Sequence, residues 1–250
     1  MKPRKRIAII GATSAIAEQC ARLWAQENPS EIVLLGRNQE KIDRIASDLK
    51  VRTPETNIVS ILADFLDPGH IQAVVDQIFS TGNVDIALIA HGSLPSQESC
   101  QLDLQLCREA LEINGISPVL FAEAFAMHMQ KANSGTLAVI GSAAGDRGRK
   151  SNYVYGAAKG LLARYVQGLQ HRLANSKVKV VLIKPGPTDT PMTAHLKQSG
   201  AKLAAVDRVA REIVCGIENG RRVVYTPKIW AIIMLIIRHL PYFVFRWMDI

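Results

Sequence analysis

Tyr155 and Lys159 stand four residues apart in a stretch with helical patterning, Tyr155-Gly156-Ala157-Ala158-Lys159. At that spacing two side chains lie on one helix face, one above the other. A lysine charge beside a phenol favours the tyrosinate and lowers its pKa. Bringing a phenol from about 10 to near 7 takes roughly 4 kcal/mol of differential stabilisation. The chemistry this suits is proton transfer to or from a reacting oxygen. Upstream, the strand pattern Thr136-Leu137-Ala138-Val139-Ile140 runs through Gly141 into Ser142. A polar loop, Asp146-Arg147-Gly148-Arg149-Lys150-Ser151-Asn152, joins that serine to the helix. Taken alone, a Tyr/Lys pair at this spacing is also an ordinary surface pair, so the rest of the chain has to decide.

The elements that must position these residues follow from hydrophobic patterning. Apolar strand-like runs at Arg6–Ile10, Glu31–Leu35, Asn57–Leu62, Asp85–Ala90, Thr136–Ile140, Val178–Lys184 and Arg222–Tyr225 alternate with helical patterns. The helical patterns cover 15–27, 39–51, 68–80, 101–131, 152–174 and 206–218. Continuous apolar strands, rather than alternating ones, indicate a parallel sheet covered on both faces. Repeated βα alternation predicts an α/β fold of the Rossmann type, a doubly wound, mostly parallel seven-stranded sheet with helices on both faces. Residues 1–226 read as one domain and 227–250 as a hydrophobic, helical C-terminal tail. Ligands in such folds sit at the carboxyl ends of the strands, where the strand order switches.

The first of those ends carries Gly11-Ala12-Thr13-Ser14-Ala15-Ile16-Ala17 between a strand and a helix. A glycine-opened turn there lets backbone N–H groups and the helix dipole face a pyrophosphate, which nominates Gly11, Thr13, Ser14, Ala15 and Ile16. Only the first glycine is present, with alanine at the two later positions, and an ordinary tight βα turn is the other reading. The second strand ends in Gly36-Arg37-Asn38. An acidic residue here selects NAD, whereas an arginine suits the 2′-phosphate of NADP, so Arg37 and Asn38 point to NADP(H) rather than NAD(H). Asp64, after the third strand, is a candidate for the adenine. After the fourth, Ala90 and Gly92 are small enough for a cofactor to lie against backbone. His91, between them, reads as a hydrogen-bonded loop residue rather than a catalyst.

Together these residues resemble the short-chain dehydrogenase/reductase family over essentially residues 6–225. The resemblance rests on Gly11, on Asn114 in the long helix, on Ser142, on Tyr155-x-x-x-Lys159, and on Pro185-Gly186-Pro187-Thr188-Asp189-Thr190 after the sixth strand. It implies that Tyr155 is the catalytic acid/base and that Lys159 binds the nicotinamide ribose and lowers the tyrosine pKa. It implies further that Ser142 donates to the substrate carbonyl and that Asn114 holds a water linking Lys159 to solvent. Pro185, Gly186, Thr188 and Thr190 would surround the nicotinamide amide. The sequence departs from the family in the two alanines of the glycine turn. It also has Ile89-Ala90-His91-Gly92 where most members carry Asn-Asn-Ala-Gly. With its Asp146-Arg147-Gly148-Arg149 run and hydrophobic tail, the chain is more narrowly similar to bacterial decaprenylphosphoryl-keto-pentose 2-reductases.

The expected function is therefore hydride transfer between a nicotinamide and a carbonyl or secondary alcohol. The substrate would be a lipid-linked keto sugar, or alternatively another hydrophobic ketone: a steroid, an acyl ketone or a xenobiotic carbonyl. A dinucleotide-binding regulatory protein without catalysis is a third reading. Arg147, Arg149 and Lys150 are candidates for a substrate phosphate, a solvated basic loop being the alternative. The 250 residues are 48% hydrophobic and 21% charged, with a net charge of +8. Apart from Lys2-Pro3-Arg4-Lys5-Arg6 the positive charges are scattered, which argues against a nucleic-acid surface. Cys20, Cys100, Cys107 and Cys215 have no metal-ligand spacing, so no metal is expected, and reduced thiols fit a cytoplasmic protein. No segment reads as a membrane span. The tail from 229 to 248 mixes aliphatics, aromatics and arginines. It suits a helix lying in a membrane interface, at the inner face, or equally one packed against the core or a sister subunit. The long helices at 101–131 and 152–174 could pair between subunits in a homodimer or homotetramer.

Overall fold

The computed structural model describes residues 4–248. Lys2 and Pro3 of the basic lead and the last two residues of the tail lie outside the described residues. Seven strands form one sheet: β1 (Arg6–Ile10), β2 (Glu31–Gly36), β3 (Asn57–Leu62), β4 (Ile86–Ile89), β5 (Thr136–Ile140), β6 (Lys179–Pro185) and β7 (Val223–Thr226). Their order is β3-β2-β1-β4-β5-β6-β7. Every pairing is parallel, so the expected mostly parallel sheet is parallel throughout. The order reverses between β1 and β4, and the crevice there is where a ligand is expected.

The continuous apolar strands are explained by two cores, one on each face. Ala8, Ile10, Val33, Leu35, Leu137 and Val139 point to the face covered by α3 (Pro68–Ser80), α6 (Ser117–Ala132) and α7 (Tyr153–Arg172). Ile7, Ile9, Ile32, Leu34, Ala138 and Val181 point to the face covered by α1 (Ala15–Ala25), α2 (Gln39–Arg52) and α9 (Val206–Glu218). Each fully buried aliphatic or aromatic side chain contributes roughly 1.5–3 kcal/mol. Arg6 locks the amino end of the sheet. Its guanidinium pairs with Glu31 at 2.5 Å and donates to the carbonyls of Ile78 and Gly82, at 2.8 and 2.6 Å.

Gly11 follows β1 with φ at +80°, a left-handed conformation that glycine adopts without penalty. A β-carbon there would also meet the His91 backbone nitrogen at 2.6 Å. The first and fourth strand ends therefore close on one another at the switch point.

The helix expected over 101–131 is broken once, at Asp103, between α4 (Gln97–Leu102) and α5 (Leu104–Leu111); from there it runs without interruption to Ala132, through a π-helical turn (Glu112–Ile116) into α6. Asp103 makes the break, because its carboxylate accepts from the Gln105 and Leu106 amides at 2.8 and 3.2 Å and starts α5 as its N-cap. Pro118 accounts for the π-turn. It has no N–H to return to the Asn114 carbonyl four residues earlier, so the α-helical ladder cannot run through this point. The Ser117 amide instead bonds the Glu112 carbonyl, five residues back. Such π-turns concentrate at functional sites.

The run Leu104–Ala132 is long and apolar enough to cross a membrane by length and composition, contrary to the reading that no segment is. Most of it is buried inside the fold, as expected of a core helix. After β7, the chain forms α10 (Ile229–His239) and α11 (Tyr242–Phe245), with the short α8 (Ala194–Gln198) earlier, before α9. Met234 and Ile237 of α10 pack on Ala143, just beyond Ser142, together with Tyr225, Trp230 and Phe245.

Candidate active site

Ser142 leaves β5 in an extended conformation and caps a 3₁₀ turn, Ala143–Asp146, by accepting from the Ala144 amide at 3.1 Å. Its hydroxyl also faces the Tyr155 side chain and favours the ionised phenol. Tyr155 and Lys159 lie in the first two turns of α7, on the face turned toward the ends of β4 and β5. The Lys159 ammonium is 5.9 Å from the Tyr155 ring centre and donates to the Ile140 carbonyl at 3.1 Å. It is buried, and no carboxylate faces it, so desolvation lowers its pKa to about 8. Tyr155 is pushed above the ordinary phenol value by burial, while the Ser142 hydroxyl pulls the other way. The expected lowering of the Tyr155 pKa by Lys159 is therefore not seen; burial dominates.

Asn114 is fully buried in the π-turn. Its side-chain carbonyl accepts from the Ser93 amide at 2.9 Å, and its amide donates to the Ala110 carbonyl at 2.9 Å. This ties the helix to the loop after β4 without the family's two asparagines. Ser142, Tyr155, Lys159 and Asn114 all line one cleft, with Ala90, Gly92, Pro185, Gly186, Thr188 and Thr190. The cleft continues along Gly11, Thr13, Ser14, Ala15 and Ile16 to Arg37 and Asn38. Asn38 caps α2, accepting from the Lys41 amide at 2.9 Å. Lys41 joins Arg37 in lining that end. Sequence reasoning passed over it, although its place four residues after Arg37, in the first turn of a helix, was a usable signal.

Other expectations are redirected. Asp64 turns its carboxylate to the Leu66 amide, at 2.8 Å, and Phe65 rather than Asp64 lines the cleft. His91 is a hydrogen-bonded loop residue, as expected, with Ser117 as its partner at 2.8 Å, and it is buried. Its ring lies edge-on to Phe65 and Phe121, with centroids 4.7 and 5.6 Å away. Burial, with the Lys159 charge next, holds its pKa well below the usual histidine value. Of the loop cations, Arg149 lines the cleft beside Asn152, while Lys150 is exposed and lines none of it. Arg147 points away. It donates to the Ile237 carbonyl and, at 2.7 Å, to the Leu240 carbonyl, capping the end of α10. Its guanidinium stacks 3.8 Å over Phe245. An arginine spent on helix-terminal carbonyls and an aromatic face is not available to a substrate phosphate.

Residues 5–201 match the family described as short chain dehydrogenase. The chain belongs to the short-chain dehydrogenase family. It is similar to an uncharacterized oxidoreductase of Streptomyces coelicolor, 29% identical over 248 residues that span 98% of this chain and 96% of the relative. An uncharacterized oxidoreductase of Mycobacterium tuberculosis is also 29% identical, over 97% of this chain and 96% of its own length. Among solved structures, a short-chain dehydrogenase from Sphingobium yanoikuyae in complex with NADPH superposes with a TM-score of 0.81 at 22% identity, over 89% of this chain and 88% of that one. One from Burkholderia cenocepacia in complex with NADP gives a TM-score of 0.79 at 19% identity, over 94% and 93%. At those identities the likeness speaks for the fold.

Two parts of this short-chain dehydrogenase's site were not visible in the sequence. Trp230, from α10, lines the cleft against Gly186, where a β-carbon would fall 2.0 Å from the indole nitrogen. The tail therefore builds one wall of the site. Behind Ser142, Asp146 is not part of a solvated loop. Its carboxylate pairs with Lys184 of β6 and accepts from the Tyr225 hydroxyl of β7 at 2.6 Å. The Lys184 and Asp146 side chains are only 6% and 4% exposed. Burial and the Asp146 charge together push the Tyr225 hydroxyl upward in pKa. Removing one partner of such a pair leaves a buried charge uncompensated. Asp146→Ala is expected to lower unfolding free energy by about 3–5 kcal/mol in urea denaturation, and the pair Asp146→Leu with Lys184→Met to recover most of it.

Proposed function

We propose that this chain is an NADP(H)-dependent reductase that converts a hydrophobic ketone, in the leading case a lipid-linked keto sugar, to a secondary alcohol. The observation that carries the reading is one cleft with Arg37 and Lys41 at one end and Ser142, Tyr155 and Lys159 at the other. Among the described residues neither Arg37 nor Lys41 has an ion pair or a side-chain hydrogen bond, which suits a 2′-phosphate. Gly11 lets the turn after β1 close tightly on His91, and the turn leads into the α1 N-terminus, which suits a pyrophosphate. NADPH and NADP in the two structural relatives agree with this choice of dinucleotide.

Bound NADPH supplies the hydride. The chain's own residues then manage the charge that develops on the carbonyl oxygen. Ser142 and Tyr155 donate hydrogen bonds to that oxygen, and Tyr155 hands over its proton. Lys159 stabilises the phenolate left behind. The intact set of Asn114, Ser142, Tyr155 and Lys159 around one cleft favours catalysis over a purely regulatory dinucleotide-binding role.

The tail supports a membrane-surface substrate. Ile232, Leu235 and Ile236 of α10 are 58–59% exposed, and Tyr242, Phe243 and Trp247 beyond it are more so. Lys228, Arg238 and Arg246 flank them, the arrangement of an interfacial helix on an anionic bilayer. Met234, Ile237 and Trp230 face inward at the same time, so one helix both completes the cleft and offers an apolar outer face.

Three outcomes test the proposal. Tyr155→Phe is expected to reduce ketone-dependent NADPH oxidation at least about a hundredfold, while NADPH binding by fluorescence persists. Full activity in that variant would remove Tyr155 from the mechanism. Lys159 must be charged to stabilise the phenolate, and burial sets its pKa at about 8. The charge is present below that value and lost above it, so kcat/KM for NADPH is expected to fall about tenfold per pH unit on the alkaline side. A profile flat to pH 10 would contradict this role. Finally, the full chain is expected to sediment with vesicles containing anionic phospholipid, and the variant Ile232→Ser/Leu235→Ser/Ile236→Ser to remain in solution. Equal sedimentation of the two would count against a membrane-facing tail.

A further inference from the structure

The half of the cleft that holds Ser142 and Tyr155 is positively charged beyond what the chemistry uses. Its lining includes two cationic side chains, Lys159 and Arg149, and no aspartate or glutamate. Lys159 serves Tyr155. Arg149 has no assigned task, and among the described residues its side chain makes no hydrogen bond or ion pair. Its Nε is buried without an acceptor. Burial lowers its pKa, and no carboxylate among the described residues offsets that cost. A guanidinium nitrogen buried without an acceptor carries a desolvation cost that a ligand oxyanion would offset.

The neighbouring residue is in a complementary condition. The turn after Arg149 is closed by a hydrogen bond from the Asn152 amide to the Arg149 carbonyl, 3.2 Å. Asn152 lines the same cleft, and its side-chain oxygen is buried with no donor. One wall thus offers a fork of N–H donors seeking an oxyanion and, beside it, an amide oxygen seeking a hydroxyl or N–H. The dinucleotide does not account for these groups. Of the residues assigned to its phosphates, Gly11, Thr13, Ala15, Arg37 and Lys41 line the other half of the cleft, Ser14 and Ile16 reach both halves, and Arg149 and Asn152 do not enter that other half.

We infer that Arg149, with Asn152 beside it, binds an anionic oxygen group on the substrate, so that the enzyme takes a hydroxylated ketone bearing a phosphate or a carboxylate. Resting on the reductase reading above, this specifies the chemical class its substrate must have. Planar oxyanions and phosphates match the arginine fork by two parallel hydrogen bonds, and desolvation in the cleft strengthens them.

Binding can be measured without turnover. The full-length enzyme is first saturated with NADP⁺, then titrated in a calorimeter with phenyl phosphate, with benzoate, and with phenol as the neutral control. The wild type is expected to bind at least one of the two anions, and more tightly than phenol. Preference for phenyl phosphate assigns the site to phosphate substrates, and preference for benzoate to carboxylates. Arg149→Gln is expected to weaken the preferred anion at least about tenfold, and Arg149→Lys to fall between, because lysine keeps the charge but loses the fork. The affinity for NADP⁺, read in the first stage, is expected to be unchanged in both variants. Equal anion binding by the wild type and Arg149→Gln would overturn the inference. So would no anion binding at all, or a parallel loss of NADP⁺ affinity. Failure of NADP⁺ to bind the wild type would instead overturn the dinucleotide reading, and this inference with it.

Discussion

A buried lysine with no carboxylate beside it is the constraint around which the site is arranged. Among the described residues, Lys159 has only the Ile140 carbonyl as a hydrogen-bond partner of its ammonium, at 3.1 Å. The cost of keeping that charge out of water is visible in its depressed pKa. A carboxylate would relieve that cost and would also quench the field that Tyr155 needs. The fold therefore surrounds the ammonium with neutral dipoles. Ile140 ends β5, Asn114 is held in a π-turn, and α7 is drawn close by small residues. The price is stability spent at the active centre, which the two hydrophobic cores can bear.

A second charge lies close by and is treated in the opposite way. Lys184 is as buried as Lys159, yet it is fully paired with Asp146, which also holds Tyr225. The pair joins the turn after Ser142 to β6 and β7. Arg147, the next residue, fastens the same turn to the end of α10. Ser142 is thereby fixed from behind by three elements distant in sequence. One lysine is left beside Tyr155 without a carboxylate, and the other is paired with Asp146.

This arrangement changes the meaning of the C-terminal tail. An apolar segment read alone offers two exclusive fates, packing or membrane contact. In the folded chain the two belong to different faces of α10. Met234 and Ile237 pack behind Ser142, Trp230 walls the cleft at Gly186, and Ile232, Leu235 and Ile236 remain outside. The cleft wall and the exposed apolar face thus belong to a single helix.

Local patterning and spacing sufficed for the strands, because each is a short apolar run flanked by turn residues and buried on both faces. They sufficed as well for Gly11, Arg37, Ser142, Tyr155 and Lys159, which sit at strand ends or one helical turn apart. The break and the π-turn within 101–131 were also open to a local reading, since Asp103 is a capping residue and Pro118 lacks the N–H that Asn114 would need. The remainder came from contacts across long sequence separations, which no local pattern encodes. Asp146 and Arg147 are adjacent polar residues in an apparently solvated loop, yet one is buried against Lys184 and Tyr225 and the other is spent on α10. Arg149, two residues on, differs from Arg147 only in what the fold brings near it. The sequence by itself determined which residues could do chemistry, because that depends on side-chain type and local spacing. Tertiary structure decided which charges are neutralised and which are left open to a ligand, because that depends on the partners that folding brings within a few ångströms.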